Sequence, residues 1–431
     1  LAATQLASAF VLASLGAYAG RAEDPWVAWL ARLATLAFIW LCWIGGRLAD
    51  THDERKLILA SKGFETLAAG LGAVALFYSR PELLPVVALC LALEWSLFLP
   101  AVSSIVPELV ADRQLSRANG LLAASGFAGA AAGLWMGART EAWILVSAAG
   151  TLASLRIPPP ANRPDSARAQ GWSKPFWLTS LAIAYFWLVA AATVRSGAGA
   201  AAALMAAGAA AGSLAAGRLS GQKVEQGLVP LGALGMTACL LAGAPAAVLG
   251  FFGGLYLLPL SAFLQQKSEP GAVGRVAAVA GVQSALGLLL GWWLPLGSLA
   301  LGFLTLLVAV YILTILPEYL IRFALWMLTH SIYSIRAAGQ QHVPFRGPAL
   351  LVSNHISLVD GFLGGACVQR FIRFLIYRPY YELPVLNWFF RLTYAIPIAG
   401  GNPKDVAESI ERARQELRDG HVVCIFAEGS M

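Results

Sequence analysis

The hydrophobic and polar positions of this chain follow two regimes that change near Pro317. Before it, apolar stretches of about 17 to 22 residues alternate with short polar breaks, and each is long enough for a helix to cross the hydrocarbon core of a bilayer. The pattern predicts spans at 1–20, 26–46, 57–78, 83–101, 118–137, 142–157, 176–195, 198–217, 227–243, 245–264, 273–294 and 297–316. Twelve crossings put both ends of this part on one side. Residues 317–338 mix apolar positions with flanking charge and an aromatic rim, as expected of a helix lying in a membrane interface, the alternative being a thirteenth buried helix. From Gly339 onward short apolar runs and helical segments alternate like a soluble α/β domain. Here the pattern predicts a buried strand at 348–353, a helix at 358–368, strands at 371–377 and 394–398, a helix at 404–417 and a strand at 421–426. Because a doubly covered sheet needs more chain than residues 339–431 supply, the second domain is expected to be incomplete at its carboxyl end.

Composition sharpens the division. The chain is 58% hydrophobic and only 12% charged, which excludes a soluble fold for residues 1–316. With both ends cytoplasmic, the inner loops carry Arg47, Arg55, Lys56, Lys62, Arg113, Arg117, Arg156, Arg163, Arg168, Lys174, Arg218, Lys223, Lys267 and Arg275. The outer loops carry only Arg21, Arg80, Arg139 and Arg195. That asymmetry favours cytoplasmic termini and a cytoplasmic second domain. The net charge of +7 then serves orientation and contact with anionic membrane lipids, and it implies no nucleic-acid partner. Cys42, Cys90, Cys239, Cys367 and Cys424 show neither pairing nor metal-ligand spacing, so no metal site is expected.

The apolar part repeats itself. Gly46-Arg-Leu-Ala-Asp50 after the second span returns as Gly217-Arg-Leu-Ser-Gly221 after the eighth, and Pro100 in the fourth span has a counterpart at Pro259 in the tenth. The breaker-rich stretch Pro158-Pro-Pro-Ala-Asn-Arg-Pro-Asp165 reads as the linker between two halves. The expected units are therefore 1–157, a cytoplasmic linker at 158–175, 176–316, an interfacial helix at 317–338 and the α/β domain at 339–431. Two related bundles that rock about a central site are the usual build of a secondary transporter. Glu94, Glu65 and Gln283 are the polar residues expected to line its cavity, with Arg32 as a counter-charge. The competing reading makes them interhelical hydrogen-bonding residues.

Candidate chemistry sits in the second regime. Asn354-His355 follows a strand and would present an imidazole at the carboxyl edge of a sheet, where α/β sites usually form. Asp360, at the start of the following helix, is spaced to reach back, fix the tautomer and stabilise the imidazolium. His355 would then deprotonate a hydroxyl as it attacks an acyl thioester, with no acyl-enzyme intermediate. Ser357 has no nucleophile-elbow context. A second strand ends in Phe426-Ala-Glu428-Gly429-Ser430, where glycine permits close backbone approach and Glu428 is able to orient a hydroxyl or a cation.

These residues also carry resemblances. Gly46-Arg-Leu-Ala-Asp50 followed by Arg55-Lys56 resembles the loop signature of the major facilitator superfamily, with Asp53 and Glu54 in place of the expected glycine and first basic residue. Gln5-Leu-Ala-Ser-Ala-Phe10, Pro100-Ala101, Pro107-Glu-Leu109 and Ala118-Asn-Gly-Leu121 resemble the bacterial lysophospholipid transporter family. Val11-Leu12, Val102 and Ala123 stand where that family has an acidic–amide pair, a lysine and a glutamate. Residues 339–431 are similar to the glycerolipid acyltransferase family. Carried over, His355 and Asp360 match its catalytic dyad, and Glu428, Gly429 and Ser430 match its acceptor-binding block, with Asn354, Ser357 and Gly361 as further substrate contacts. The arginine that many members place after the central strand has no counterpart around Ile398-Ala-Gly-Gly401, which leaves Arg346, Arg373, Arg378 and Arg391 as cationic candidates.

The resemblance implies an all-α polytopic bundle, major facilitator-like, followed by an α/β acyltransferase domain. It further implies a bifunctional protein of the bacterial inner membrane. Such a protein delivers a lysophospholipid and reacylates it from acyl carrier protein or coenzyme A thioester, with no bound cofactor. The alternatives are an acyltransferase on a non-transporting anchor, and a transporter of another amphiphile.

Overall fold

The computed structural model of the chain describes residues 1–19, 25–136, 140–159, 174–195, 199–221, 224–269, 271–315, 317–336, 338–339, 342–344, 347–357, 359–368, 370–399 and 403–427. It divides into two compact units, Leu1–Val310 and Tyr311–Met431.

Twelve α-helices build the first unit among the described residues. They are α1 (Ala2–Ala19), α2 (Pro25–Thr51), α3 (Glu54–Phe77), α4 (Leu84–Leu109), α5 (Leu115–Met136), α6 (Thr140–Ser154), α7 (Lys174–Val194), α8 (Gly199–Leu219), α9 (Leu228–Ala242), α10 (Ala246–Lys267), α11 (Val273–Trp293) and α12 (Ser298–Ile315). Seven of these, α3, α4, α7, α8, α10, α11 and α12, are each long and apolar enough to cross a membrane. Hydropathy marks only the part of a helix suited to hydrocarbon, so α2 and α4 run past their expected ends at 46 and 101 to Thr51 and Leu109.

Small residues set the packing. A Cβ on Gly212 of α8 would lie 2.0 Å from the Phe251 carbonyl of α10, and one on Gly45 of α2 would lie 1.9 Å from the Ser96 carbonyl of α4. Only glycine admits such backbone approach, which replaces the hydrophobic drive that lipid does not supply between helices. The same α2–α4 and α8–α10 pairings recur in the two halves, as the sequence repeat implies.

The halves meet along α2–α11 and α5–α8. At the first seam Asp50 caps α11: its Oδ1 accepts the Gly274 N–H at 2.7 Å, and its Oδ2 accepts the Arg275 N–H at 3.1 Å and Nε at 2.8 Å. A carboxylate there meets both a cation and the positive end of the helix dipole. The second copy of the motif ends in Gly221, at φ +60, and has no carboxylate to repeat this cap.

The second unit holds α13 (Pro317–Ile332), β1 (Ala349–Ser353), α14 (Asp360–Cys367), β2 (Ile372–Tyr377), α15 (Arg378–Tyr381), α16 (Pro384–Leu392), β3 (Ile396–Ile398), α17 (Pro403–Arg418) and β4 (Val422–Phe426). The strands form one parallel sheet in the order β1-β4-β2-β3. Central β4 is buried on both faces. Val422 and Cys424 pack with Ile372, Leu351 and Phe374, while Val423 packs with Ile396, Ala413 and Leu417. The expected buried strand at 348–353 is instead an edge strand, with Leu350 and Val352 exposed on the face opposite Leu351.

Candidate active site

The parallel register between β1 and β4 sets Ser353 beside Phe426. Both chains therefore leave the sheet at one carboxyl edge, and the Ala427 N–H still donates to the Ser353 carbonyl at 3.3 Å. His355 follows one strand two residues past its end. Glu428, Gly429 and Ser430, which follow the other, lie outside the described residues.

The turn from β1 into α14 is built around one carboxylate oxygen. Asp360 Oδ2 accepts the N–H groups of Ile356 and Ser357, each at 2.7 Å, and lies 3.3 Å from His355 Nδ1. The Asp360 N–H donates back to the Ser357 carbonyl at 3.0 Å, and the Val359 N–H donates to Ser357 Oγ at 3.4 Å. Asp360 is thus fixed by backbone before the imidazole is added. The Ser357 N–H is the chief cause that holds its carboxyl below the ordinary carboxylate value; burial opposes this, while the Ile356 N–H and His355 add to it. A charged Asp360 favours the tautomer with the proton on Nδ1, which leaves Nε2 as the basic nitrogen.

The imidazole rests on an aromatic platform that sequence reasoning did not include. The His355 and Phe426 rings stack with centroids 4.3 Å apart, and Phe426 in turn stacks on Phe374 at 6.1 Å. The available signal was alternation along β4, which puts Phe426 on the same face as Cys424. Around the pair, Asn354 is exposed, and a Cβ on Gly361 would meet nothing within 4 Å.

The cationic candidates separate. Arg373 pairs with Glu416 of α17 and lies 4.9 Å from the Tyr394 ring centroid, so it is committed to the sheet's helical cover. Arg378 pairs with Glu382 one turn on, Arg391 is exposed, and Arg346 is outside the described residues. His421 also meets a carboxylate. The turn at Gly420, φ +84, brings its Nδ1 to 2.9 Å from Glu416 Oε2. Glu416, Asp419 and His421 could offer ligand atoms to a metal, but Arg373 already neutralises Glu416.

Residues 334–431 match the family model for Acyltransferase. No curated protein matches the chain. Among solved structures it is similar to the human organic anion transporter MFSD10 (TETRAN), with a TM-score of 0.56 and 16% identity over 72% of this chain and 99% of that one. It is also similar to FucP, a Major Facilitator Superfamily transporter in the outward conformation, with a TM-score of 0.54 and 13% identity over 72% and 97%. At these identities the likeness is one of fold. This chain joins a major facilitator fold to an acyltransferase domain. It is a multi-pass membrane protein.

In the major facilitator fold the expected cavity residues do not form one group. Glu65 and Glu94 come together with Ser8 of α1 and Lys62 of α3, sealed within the first six helices. Gln283 lies on α11, its Oε1 buried without a hydrogen-bond donor among the described residues. The side chain of Arg32 is outside the described residues. Lys62 requires a correction: counted above among inner-loop cations, it is fully buried and pairs with Glu65 at 2.5 Å. The signal was its place five residues inside the third expected span, three positions before Glu65.

Proposed function

We propose that the protein rebuilds a two-chain phospholipid from a lysophospholipid at the cytoplasmic leaflet of a bacterial inner membrane. Its acyltransferase domain moves an acyl group from acyl carrier protein or coenzyme A thioester to the free hydroxyl of the acceptor, and its helical unit delivers that acceptor. One observation carries the reading: a His355–Asp360 pair at the carboxyl edge of a parallel sheet, inside a domain that matches an acyltransferase family.

The reaction follows from that geometry. Nε2 of His355 takes the proton of the acceptor hydroxyl as its oxygen attacks the thioester carbonyl carbon, and Asp360 stabilises the imidazolium. The tetrahedral intermediate collapses with cleavage of the C–S bond, and the imidazolium returns its proton to the leaving thiolate. The stacked Phe426 keeps one face of the imidazole away from water. Glu428 and Gly429 supply the acceptor-binding contacts.

Exposed apolar side chains support a lipid acceptor. On α13, Phe323 is buried, whereas Met327, Leu328 and Ile332 are all exposed. On α16, Val385 is 78% and Trp388 63% exposed. That helix reaches the site through Phe389, whose ring lies 6.0 Å from Phe362 on α14. A surface of this kind suits an interface where apolar bodies enter lipid.

A second reading keeps the enzyme and makes the helical unit an anchor. It is favoured by the sealing of Glu65 and Glu94 against Lys62, which leaves them no contact with a passing headgroup. Reconstitution of the full chain separates the two. Flipping of a fluorescent lysophospholipid and thioester-dependent reacylation are both expected with the native chain, and His355→Ala should abolish only the second. Absence of flipping in every version would leave the anchor.

A further inference from the structure

Four side chains from three helices meet inside the first half of the bundle with no access to solvent. Lys62 Nζ lies 2.5 Å from Glu65 Oε2, 3.0 Å from Ser8 Oγ and 3.5 Å from the Thr4 carbonyl. Ser8 Oγ donates to Glu65 Oε2 and lies 3.3 Å from Glu94 Oε1 on α4. Lys62, Glu65 and Glu94 are each 0% exposed. Two carboxyl oxygens, Glu65 Oε1 and Glu94 Oε2, have no hydrogen-bond donor among the described residues. Yet a single hydroxyl, Ser8 Oγ, lies within hydrogen-bond distance of both carboxyl groups, so the two share one site.

The charge balance of this cluster is incomplete. Two carboxylates against one ammonium leave a net negative charge in a dry helical interior, and carboxylates sharing a site do not both ionise there. The surrounding helices do not correct it. From α6, Ser147 donates to Thr66 and Thr151 donates to the Lys62 carbonyl. From α2, Cys42 turns to the Ala278 carbonyl of α11. From α5, Gly126 packs on Gln5. The cation and the carboxyl groups that meet around Ser8 are thus Lys62, Glu65 and Glu94. A metal ion is a poor substitute, because the Lys62 ammonium already occupies the point where Glu65 Oε2, Ser8 Oγ and the Thr4 carbonyl converge. A proton needs no such volume. It converts one carboxyl into a donor for the other.

We propose that the Ser8–Lys62–Glu65–Glu94 cluster is a binding site for one exchangeable proton, held between Glu65 and Glu94 while Lys62 balances the remaining charge. Release of that proton leaves an uncompensated carboxylate, which is tolerated only once water enters between α1, α3 and α4. Proton release is therefore tied to a parting of these helices. As the coupling site of a carrier the cluster rests on the transport reading above, whereas as a proton site it does not.

Infrared spectroscopy of the full-length protein in vesicles tests this at neutral pH. A C=O band of a protonated carboxyl is expected in the native chain, moving in heavy water on slow exchange. It should be lost in Glu94→Gln and kept in the surface control Glu82→Gln. Ser8→Ala, which leaves every charge in place, should shift the band without removing it. Absence of the band, or its full retention in both Glu65→Gln and Glu94→Gln, overturns the proposal. A sodium-dependent tryptophan signal, seen with no band and lost in Glu94→Gln, would also overturn it by assigning a metal cation. Lysophospholipid flipping measured in the same vesicles keeps the two readings distinct: a band without flipping sinks the carrier and sustains the proton site.

Discussion

The phenyl ring of Phe426 stacks on the imidazole of His355, centroids 4.3 Å apart and planes inclined by 26°. The contact exists because two parallel strands end together, so it is a product of register rather than of local sequence. Aromatic pairs of this kind contribute about 0.5–1.5 kcal/mol beyond their area. Phe426→Leu should keep the strand but loosen the base, lowering kcat roughly tenfold with KM little changed. Phe426→Tyr should retain most of the rate. Steady-state acylation kinetics check both.

Asp360 carries a pH expectation. Its folded carboxyl is held below the ordinary value of about 3.9, chiefly by the Ser357 N–H. A depressed carboxyl contributes stability that is present above the unfolded value and lost as pH falls through the lower folded one. Asp360 is therefore fully ionised from pH about 5 upward. Asp360→Asn should lower the acylation rate by about a hundredfold or more on the plateau of the native pH profile, with the loss shrinking toward acid pH because the imidazolium has lost the charge that stabilised it. An undiminished rate on the plateau would contradict the assignment.

Much of this was legible in the sequence, and the reasons differ by region. Spans could be read because a bilayer selects for length and apolarity, and the strands because β4 is a continuous apolar run and β2 is interrupted only at Arg373. The His355–Asp360 pair was legible because both residues lie on one short turn. Phe426 was not, since its neighbour in space is far away in the chain. The place of β1 at the sheet edge was equally hidden, because Leu350 and Val352 are apolar whether covered or exposed. Helix α16 lies in the stretch left without an element between the strands expected at 371–377 and 394–398, because it is short and its crowded Trp388-Phe-Phe390 blurs the helical period. Lys62 was misassigned because a basic residue near a helix end usually faces water; Glu65 lies one turn on in the sequence, but only the tertiary fold brings Glu94 into the same cluster.

Breaking the buried ion pair from one side should be severe. Lys62→Met leaves Glu65 and Glu94 without a cation and is expected to destabilise the bundle by about 3–5 kcal/mol. The double variant Lys62→Met/Glu65→Leu should recover most of that loss, since a matched apolar pair replaces a matched ionic one. Thermal unfolding of the full chain in one detergent compares them. Equal losses in the single and double variants would contradict the pairing.

Trp388 should report on lipid contact. Trp388→Ala is expected to reduce acylation of a long-chain lysophospholipid in vesicles roughly tenfold while leaving a short-chain, monomeric acceptor unaffected, because burial of a large aromatic side chain is worth about 1.5–3 kcal/mol. Parallel assays with the two acceptors check it. Equal loss on both would place Trp388 in the fold of the domain instead.

The central claim is that one imidazole, oriented by Asp360, deprotonates a lipid hydroxyl. Its most direct test is the rate of thioester-dependent acylation of a lysophospholipid by the full-length protein in vesicles, compared between the native chain and His355→Ala. The expected result is measurable transfer by the first and a loss of at least about a hundredfold in the second, with the variant folded and inserted as before. Transfer that survives the substitution undiminished would contradict the account.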